Sequence, residues 1–222
     1  GGCLKFSRIL MLTLFVVLTL TNIQAQDLHI TRLHYDGGGD WYSNPSSLPN
    51  LINFVADNTN IRMDPEEYRV KITDTDLYNH PYLYMTGHGN VKFSTEEIHK
   101  LRDFLSSGGF LHADDNYGMD QSFRREMKKV FPKKEWVELP YDHPVFNAFF
   151  EIKKGLPKIH QHDEKPPQAL ALFHEGRMIV FYSYESDLGD GWEDIDVHKD
   201  AALKHRAALE MGTNILLYAF TH

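Results

Sequence analysis

The chain contains little cysteine and no apolar run of membrane-spanning length. Its only cysteine is Cys3, near the start of the 222-residue sequence. A domain built from the later residues therefore has neither a disulfide nor a thiol nucleophile. The apolar run Ile9–Leu20 has 12 residues and is broken only by threonines. A helix needs about 20 apolar residues to cross a bilayer.

The first 25 residues have the pattern of an export signal. Lys5 and Arg8 precede the apolar run. Thr21–Ala25 forms a short polar segment after it, and Ala25 is the expected cleavage position. We therefore expect residues 1–25 to be a signal peptide and the protein to be exported to the periplasm or cell envelope. If the segment is not cleaved, it would instead act as a membrane anchor, which is the one membrane contact that we expect.

Positive charge is scarce. The sequence has 23 Lys and Arg against 31 Asp and Glu, a net charge of −8. Leaving out residues 1–25, which carry two basic and no acidic residues, makes the charge −10. Phosphate binding relies on Lys and Arg, so this balance argues against a nucleic-acid partner. Residues 26–222 show no repeat and no linker, and they are numerous enough for one domain with a substantial core.

Strands and helices alternate through the first half of this domain, which predicts an α/β fold with a mostly parallel sheet covered by helices on both faces. Ser94 and Glu97 form a capping box that opens one of the helices. The predicted strands are Leu28–Tyr35, Arg69–Ile72, Tyr82–Thr86, Phe110–Ala113 and Trp136–Leu139, with a hairpin of Gln168–Phe173 and Arg177–Tyr184. The predicted helices begin at Ser46 or Ser47, Ser94, Gln121 and Asp200.

Three of the predicted strands run directly into clusters of glycine, aspartate and histidine. Loops at the carboxyl ends of parallel strands converge on one crevice, where ligands bind. We therefore expect a shared site, with His88, Asp36, Asp115 and Asp114 as candidate catalytic groups. The other candidates are ligand-binding positions: Gly37, Gly38, Gly39, Asp40, Trp41, Gly87 and Gly89.

Each cluster also has a purely structural interpretation. The three glycines would form an anion cradle of backbone amides, or only a flexible connection. His88 would titrate near neutrality in the crevice, or hydrogen-bond the neighbouring backbone. Asp114 and Asp115 leave a strand as neighbours and point to opposite sides, so at most one faces the crevice while the other caps a helix.

Two later segments are candidates for binding a metal ion. His160 and His162 are separated by one residue, so an extended backbone would place both imidazoles on one side, with Asp163 beside them. We add His160 to the ligand-binding candidates; a divalent metal is the one cofactor that we consider. The acidic segment 187–194 does not match a calcium-loop spacing, and we expect a solvated loop or a lid there.

With these segments in view, the chain resembles a bacterial family known as domain of unknown function 4159. The matching strings are Thr31–Tyr42, Tyr84–Gly89, Gly108–Asp115, Ser122–Met127 and Leu156–His160. The resemblance implies a flavodoxin-like, three-layer fold similar to that of class I glutamine amidotransferases, and it implies no activity. Those enzymes use a cysteine nucleophile on a sharp strand-to-helix turn. Here Asp114 and Asp115 occupy the corresponding turn, which excludes glutamine hydrolysis by that route.

Three functions are consistent with these observations, and whether the chain is an enzyme stays open. The first is a binding module of the cell envelope that holds a small-molecule or protein ligand in the crevice. The second is a hydrolase of carbohydrate or related extracytoplasmic substrates, which uses a carboxylate–imidazole pair with or without a metal. The third is an assembly role in which aromatic side chains form a docking surface: Trp41, Tyr42, Tyr117 and Trp192.

Overall fold

The structure, a computed structural model, describes residues 27–222. The predicted export signal and Cys3 lie outside the described residues. A seven-stranded sheet forms the centre of this part of the chain. The strands are β1 (Thr31–His34), β2 (Tyr68–Lys71), β3 (Tyr82–Met85), β4 (Phe110–Asp114), β5 (Val137–Glu138), β6 (Gln168–His174) and β7 (Arg177–Tyr184). Their order in the sheet is β2-β1-β3-β4-β7-β6-β5. Neighbouring strands are parallel from β2 through β7, and β6 and β5 add an antiparallel edge.

Helices follow the strands and cover the sheet. The predicted capping box is present, since the Ser94 hydroxyl accepts a hydrogen bond from the Glu97 amide at 3.2 Å and Glu97 Oε2 accepts one from the Ser94 amide at 2.7 Å. The helices are α1 (Ser47–Asn58), α2 (Thr95–Ser106), α3 (Asp120–Val130), α4 (Leu188–Trp192), α5 (Ile195–His198) and α6 (Ala202–Thr221), with 3₁₀ turns at Leu77–Asn79 and Pro144–Asn147.

Two hydrophobic cores lie on opposite faces of the sheet. Along β3, Tyr82 and Tyr84 pack with α1 and α6, whereas Leu83 and Met85 pack with α2 and α3. This alternation is the two-residue period of a strand buried on both faces. The predicted mostly parallel sheet with helices on both faces is therefore confirmed.

The acidic segment 187–194 differs from its prediction as a solvated loop or lid. Much of it forms the short helix α4, in which Leu188 and Trp192 are fully buried. The Trp192 indole donates a hydrogen bond to the Ala208 carbonyl of α6 at 2.7 Å. The prediction of a solvated loop is wrong because the free energy gained by burying the Trp192 ring exceeds the cost of packing the charged residues around it. The same burial removes Trp192 from any docking surface. None of the helices within residues 27–222 is long and apolar enough to span a membrane.

Candidate functional site

The glycine-rich loop after β1 packs against the loop after β3. The Gly39 amide donates to the Asn90 carbonyl at 3.0 Å, and the Lys92 amide donates to the Asp36 carbonyl at 2.8 Å. Gly87 has a φ of +143°, and a Cβ at this position would lie 2.2 Å from the buried Tyr35 hydroxyl. Glycine at position 87 therefore permits close packing of the two loops, and the Gly39 amide is used in that packing rather than pointing at a ligand.

His88 lies at the edge of this loop pair and is half exposed. Its Nδ1 is 3.0 Å from Asp40 Oδ2, and its backbone amide donates to Asp40 Oδ1. The Asp36 side chain is exposed and makes no hydrogen bond or ion pair within residues 27–222. Trp41 stacks on the His34 ring with centroids 4.0 Å apart. The structure therefore pairs His88 with Asp40 and gives it no hydrogen bond to Asp36, Asp114 or Asp115.

The loop after β4 is close by. A Cβ on Gly118 would lie 3.6 Å from the amide nitrogen of Gly89, and the Ser122 hydroxyl donates to the Gly89 carbonyl at 3.3 Å. The ends of β1, β3 and β4 therefore form one continuous surface, on which His88 and Asp40 are the pair of candidate side chains that contact each other directly within the described residues.

Asp114 is fully buried beneath the first turn of α4. Its carboxylate accepts hydrogen bonds from the Ser183 hydroxyl at 2.5 Å and from the amides of Leu188 and Gly189 at 3.1 and 2.6 Å. Burial, reinforced by the charge of Asp187, raises the pKa of Asp114 to about 7. Asp114 thus caps α4 from inside the protein and is not open to a ligand.

Asp115 points away from the Asp114 side chain and lines a cleft of about 270 Å³. The residue is 3% exposed. Its Oδ2 accepts a hydrogen bond from the Glu185 amide at 3.2 Å, and its buried Oδ1 has no partner. Burial, with the charge of Asp120 adding to it, raises the pKa of Asp115 to about 7. The cleft is lined by Asp115, Tyr117, Gly118, Asp120, Gln121, His162, Asp163, Tyr184 and Glu185.

His162 and Glu185 complete the inner wall of the cleft. Each of Asp115, His162 and Glu185 offers a ligand atom within 4.8 Å of the others. His162 Nε2 is 3.0 Å from Asp187 Oδ2. Burial is the largest single influence on His162 and acts to lower its pKa, but the hydrogen bond to Asp187 and the charges of nearby carboxylates together outweigh burial and raise the pKa. Glu185 Oε2 forms an ion pair with the Lys158 ammonium at 2.6 Å.

A second polar cluster adjoins the cleft and shares Asp187 with it. His160 Nδ1 lies 3.1 Å from Asp187 Oδ2 and 3.0 Å from Asp190 Oδ2, and its Nε2 lies 3.1 Å from Asp200 Oδ2. The bonds to Asp187 and Asp190 raise the pKa of His160 to about 10. His198 Nε2 is 3.6 Å from Asp190 Oδ2. His160, Asp190 and His198 form a further group with ligand atoms within 4.8 Å of one another.

Sequence reasoning missed the contribution of β7. Glu185 and Asp187 follow this strand directly, and β7 is the parallel neighbour of β4 with Asp114 opposite Ser183. The signal was available, because the mostly apolar strand Arg177–Tyr184 is followed by Glu185, Ser186 and Asp187. The sequence predicts this segment as one arm of a hairpin, and its carboxyl end is not among the predicted site residues.

The family model described as "Domain of unknown function (DUF4159)" matches residues 29–220. A search of curated proteins finds no match. The family match covers the sheet, the cleft beside Asp115 and the adjoining cluster around His160.

Proposed function

We propose that this chain, which belongs to the DUF4159 family, is an acid–base hydrolase whose reaction takes place in the cleft beside Asp115. The observation that supports this proposal most directly is the state of the Asp115 carboxyl. It is buried, it has an unpartnered oxygen and it lines an open cleft. Its pKa of about 7 lets it both donate and accept a proton near neutrality, where general acid–base catalysis is most effective.

In this proposal Asp115 and Glu185 form a pair of carboxyl groups in different environments. Their candidate oxygens lie within 4.8 Å of each other, so one substrate atom or one water molecule can reach both carboxyl groups. The Lys158 ammonium compensates the charge of Glu185, whereas burial dominates at Asp115 and the charge of His162 offsets it only in part. Paired groups with contrasting environments are the usual arrangement for acid and base roles.

The lining of the cleft favours a neutral, hydroxyl-rich substrate, of which carbohydrate is the main class. Asp115, Asp120, Asp163 and Glu185 would repel an anionic substrate and can accept hydrogen bonds from hydroxyl groups. Tyr117 presents a ring that is 61% exposed, which offers an apolar surface for one face of a sugar. Such a combination of aromatic rings and a few polar groups is common in small-molecule sites.

A serine nucleophile is a poor alternative at this site. Ser183 is fully buried, with its hydroxyl donating to Asp114 and lying 3.0 Å from His112 Nε2. Residues 27–222 contain no cysteine. Water, activated by Asp115, is therefore the attacking group that the cleft best accommodates.

One observation favours the second candidate function, a binding module without turnover. Both oxygens of Glu185 are already engaged, one by Lys158 and the other by the Asp163 amide at 3.3 Å. A carboxylate held in this way serves to shape a pocket as well as to react. A binding module would hold the same class of ligand in the same cleft and leave it unchanged.

We further propose that the protein acts outside the cytoplasm, at the periplasm or cell envelope. The support is the pattern of residues 1–25, described above. Fusing these residues to a reporter that is active only after export would test the proposal, with a fusion in which Lys5 and Arg8 are replaced by glutamate as the control. A reporter that stays inactive in the first fusion would contradict it.

The hydrolase proposal is tested with 4-nitrophenyl glycosides and with reducing-end release from polysaccharides. Asp115→Asn should lower turnover by about 10²–10⁴-fold, because it removes the proton-transfer group while keeping the shape of the side chain. Asp57→Asn, at an exposed aspartate on α1, is the matched control and should keep full turnover.

The outcomes separate the candidates. Turnover that persists in Asp115→Asn would refute the proposed role of this residue. Saturable binding of oligosaccharides without turnover by the unaltered chain would favour the binding module. Asp36→Asn and His88→Ala test the sequence-based prediction that the loops after β1 and β3 carry catalytic groups, since loss of turnover in these variants would support it.

A further inference from the structure

We propose that a divalent transition-metal ion binds next to the cleft, held by His160, Asp190 and His198. The inference goes beyond the proposed hydrolase function and does not depend on it. The three residues come from separate parts of the chain: the loop before β6, helix α4 and the end of helix α5. Tertiary folding alone brings them to within 4.8 Å of one another.

The spacing of the three side chains fits a metal ion. His160 Nδ1 lies 3.0 Å from Asp190 Oδ2, and His198 Nε2 lies 3.6 Å from the same oxygen. Ligands about 2.0–2.1 Å from a zinc ion are about 3.4 Å apart when tetrahedral and about 3.0 Å apart at right angles. The observed distances bracket these values, so an ion could enter with small movements of the side chains.

Neighbouring carboxylates hold the candidate ligands in place. Asp200 Oδ2 lies 3.1 Å from His160 Nε2, so Nδ1 faces Asp187 and Asp190 and would bind an ion in exchange for its proton. Asn44 donates a hydrogen bond to Asp190 Oδ1 at 2.7 Å and so directs Oδ2 toward the histidines. Glu193 Oε2 lies 2.8 Å from His198 Nε2 and could add a further oxygen ligand. Such outer contacts orient the ligands of protein metal sites.

An unsatisfied buried oxygen gives independent support. Asp187 touches His160 through Oδ2, its side chain is 3% exposed, and its Oδ1 is buried without a hydrogen-bond partner. Within the described part of the chain, the cluster contains the carboxylates of Asp187, Asp190, Glu193 and Asp200, and the ammonium that reaches it is that of Lys204, 3.7 Å from Asp200. A divalent cation that replaces the His160 proton would balance the negative charge of these carboxylates.

The donor set indicates the class of metal. Two imidazoles and one carboxylate are typical of zinc, iron, manganese or cobalt, with positions left open for water or substrate. Magnesium and calcium prefer oxygen ligands alone. The group Asp115, His162 and Glu185 is a weaker candidate, because the Lys158 ammonium lies 2.6 Å from Glu185 and would repel a cation.

The test is titration of the purified chain, after treatment with a chelator, with Zn²⁺ by calorimetry and with Co²⁺ by visible absorption. We expect one equivalent to bind, with Co²⁺ bands that report nitrogen and oxygen ligands. His198→Ala and Asp190→Asn should each weaken binding at least tenfold, because loss of even an outer partner costs about 10–100-fold. His205→Ala, at a nearby histidine on α6 outside the cluster, should bind as tightly as the unaltered chain.

Circular dichroism of each variant shows whether the fold is kept. If His198→Ala does not fold, Asp190→Asn still tests the proposal, because it preserves the shape of the side chain. Absence of binding by the unaltered chain would overturn the proposal, as would equal losses in His205→Ala. Binding that survives in both cluster variants but is abolished by Asp115→Asn would also overturn it, since it would place the ion at the other group. Failure of the proposed hydrolase activity would leave the expected metal titration unchanged.

Discussion

Replacing Asp115 with asparagine should stabilise the protein at alkaline pH while removing its proposed activity. The carboxylate is buried at the edge of an acidic cleft, and one of its oxygens has no hydrogen-bond partner. Ionisation of such a buried group lowers the stability of the folded state. Asparagine has nearly the same shape, and its amide oxygen can accept the hydrogen bond from the Glu185 amide.

The size of the effect follows from the pKa of Asp115. Its rise from 3.8 to about 7 corresponds to about 4 kcal/mol of folding free energy lost above pH 7. The asparagine NH₂ group takes the position of the unpartnered oxygen, and leaving a buried donor unsatisfied costs about 1–3 kcal/mol. We therefore expect Asp115→Asn to be more stable than the unaltered chain by about 1–3 kcal/mol at alkaline pH.

The sign of the pH dependence follows from the two pKa values of Asp115. In the unfolded chain the carboxyl loses its proton near pH 3.8, whereas in the folded chain it keeps the proton up to about pH 7. Between these values the folded state binds one more proton, so this group makes stability fall by about 1.4 kcal/mol per pH unit as the pH rises. The proton on Asp115 therefore stabilises the folded state fully below about pH 3.8, and this stabilisation is absent above about pH 7. Asp115→Asn lacks this dependence.

The measurement is urea unfolding of the variant and the unaltered chain at several values between about pH 4 and about pH 8.5, with a chelator present. The difference in unfolding free energy should increase with pH and level off above about pH 7. Asp57→Asn should show a difference that does not change with pH. A constant difference for Asp115→Asn would refute the reasoning, because it would mean that Asp115 has the same pKa in the folded and unfolded chains.

Three further predictions concern the framework. Gly87→Ala should destabilise the protein by about 1–3 kcal/mol more than Gly38→Ala in urea unfolding, because both need a positive φ but only the first meets a neighbour, at 2.2 Å. Arg32→Ala should cost about 3–5 kcal/mol in the same assay, since Arg32 is 1% exposed and forms an ion pair with Glu67 at 3.0 Å; a loss below about 1 kcal/mol would contradict this. The pKa of His112 is lowered to about 3 by burial, so its ring resonances should not shift in an NMR titration from about pH 8 to about pH 4.5; movement near pH 6.5 would show that the ring is accessible.

Local patterns made much of the sheet predictable. The segment from β3 through α2 to β4 has a capping box at Ser94, an apolar face on the helix and apolar runs on both strands. These signals act over a few residues, so they can be read without knowing the fold. The short edge strand β5 (Val137–Glu138) pairs with β6 and is shorter than predicted, because its bounds depend on the partner strand.

The composition of the site was harder to predict because it depends on strand neighbours far apart in the sequence. The hairpin of β6 and β7 is a local pairing, but the parallel pairing of β7 with β4 joins residues such as Asp114 and Ser183. No periodicity in the sequence indicates this pairing. Local signals therefore show that Glu185 follows a buried strand, but they do not show that this strand lies beside Asp115.

The pleat of β4 connects the two polar clusters through a single pair of neighbouring aspartates. Asp114 points to one face and fixes the first turn of α4, and Asp115 points to the other and lines the cleft. Helix α4 begins directly after Asp187, whose Oδ2 contacts both His160 and His162. The position of Asp187 therefore depends on the same turn that Asp114 caps. The cleft and the proposed metal site therefore share Asp187 and the turn that positions it.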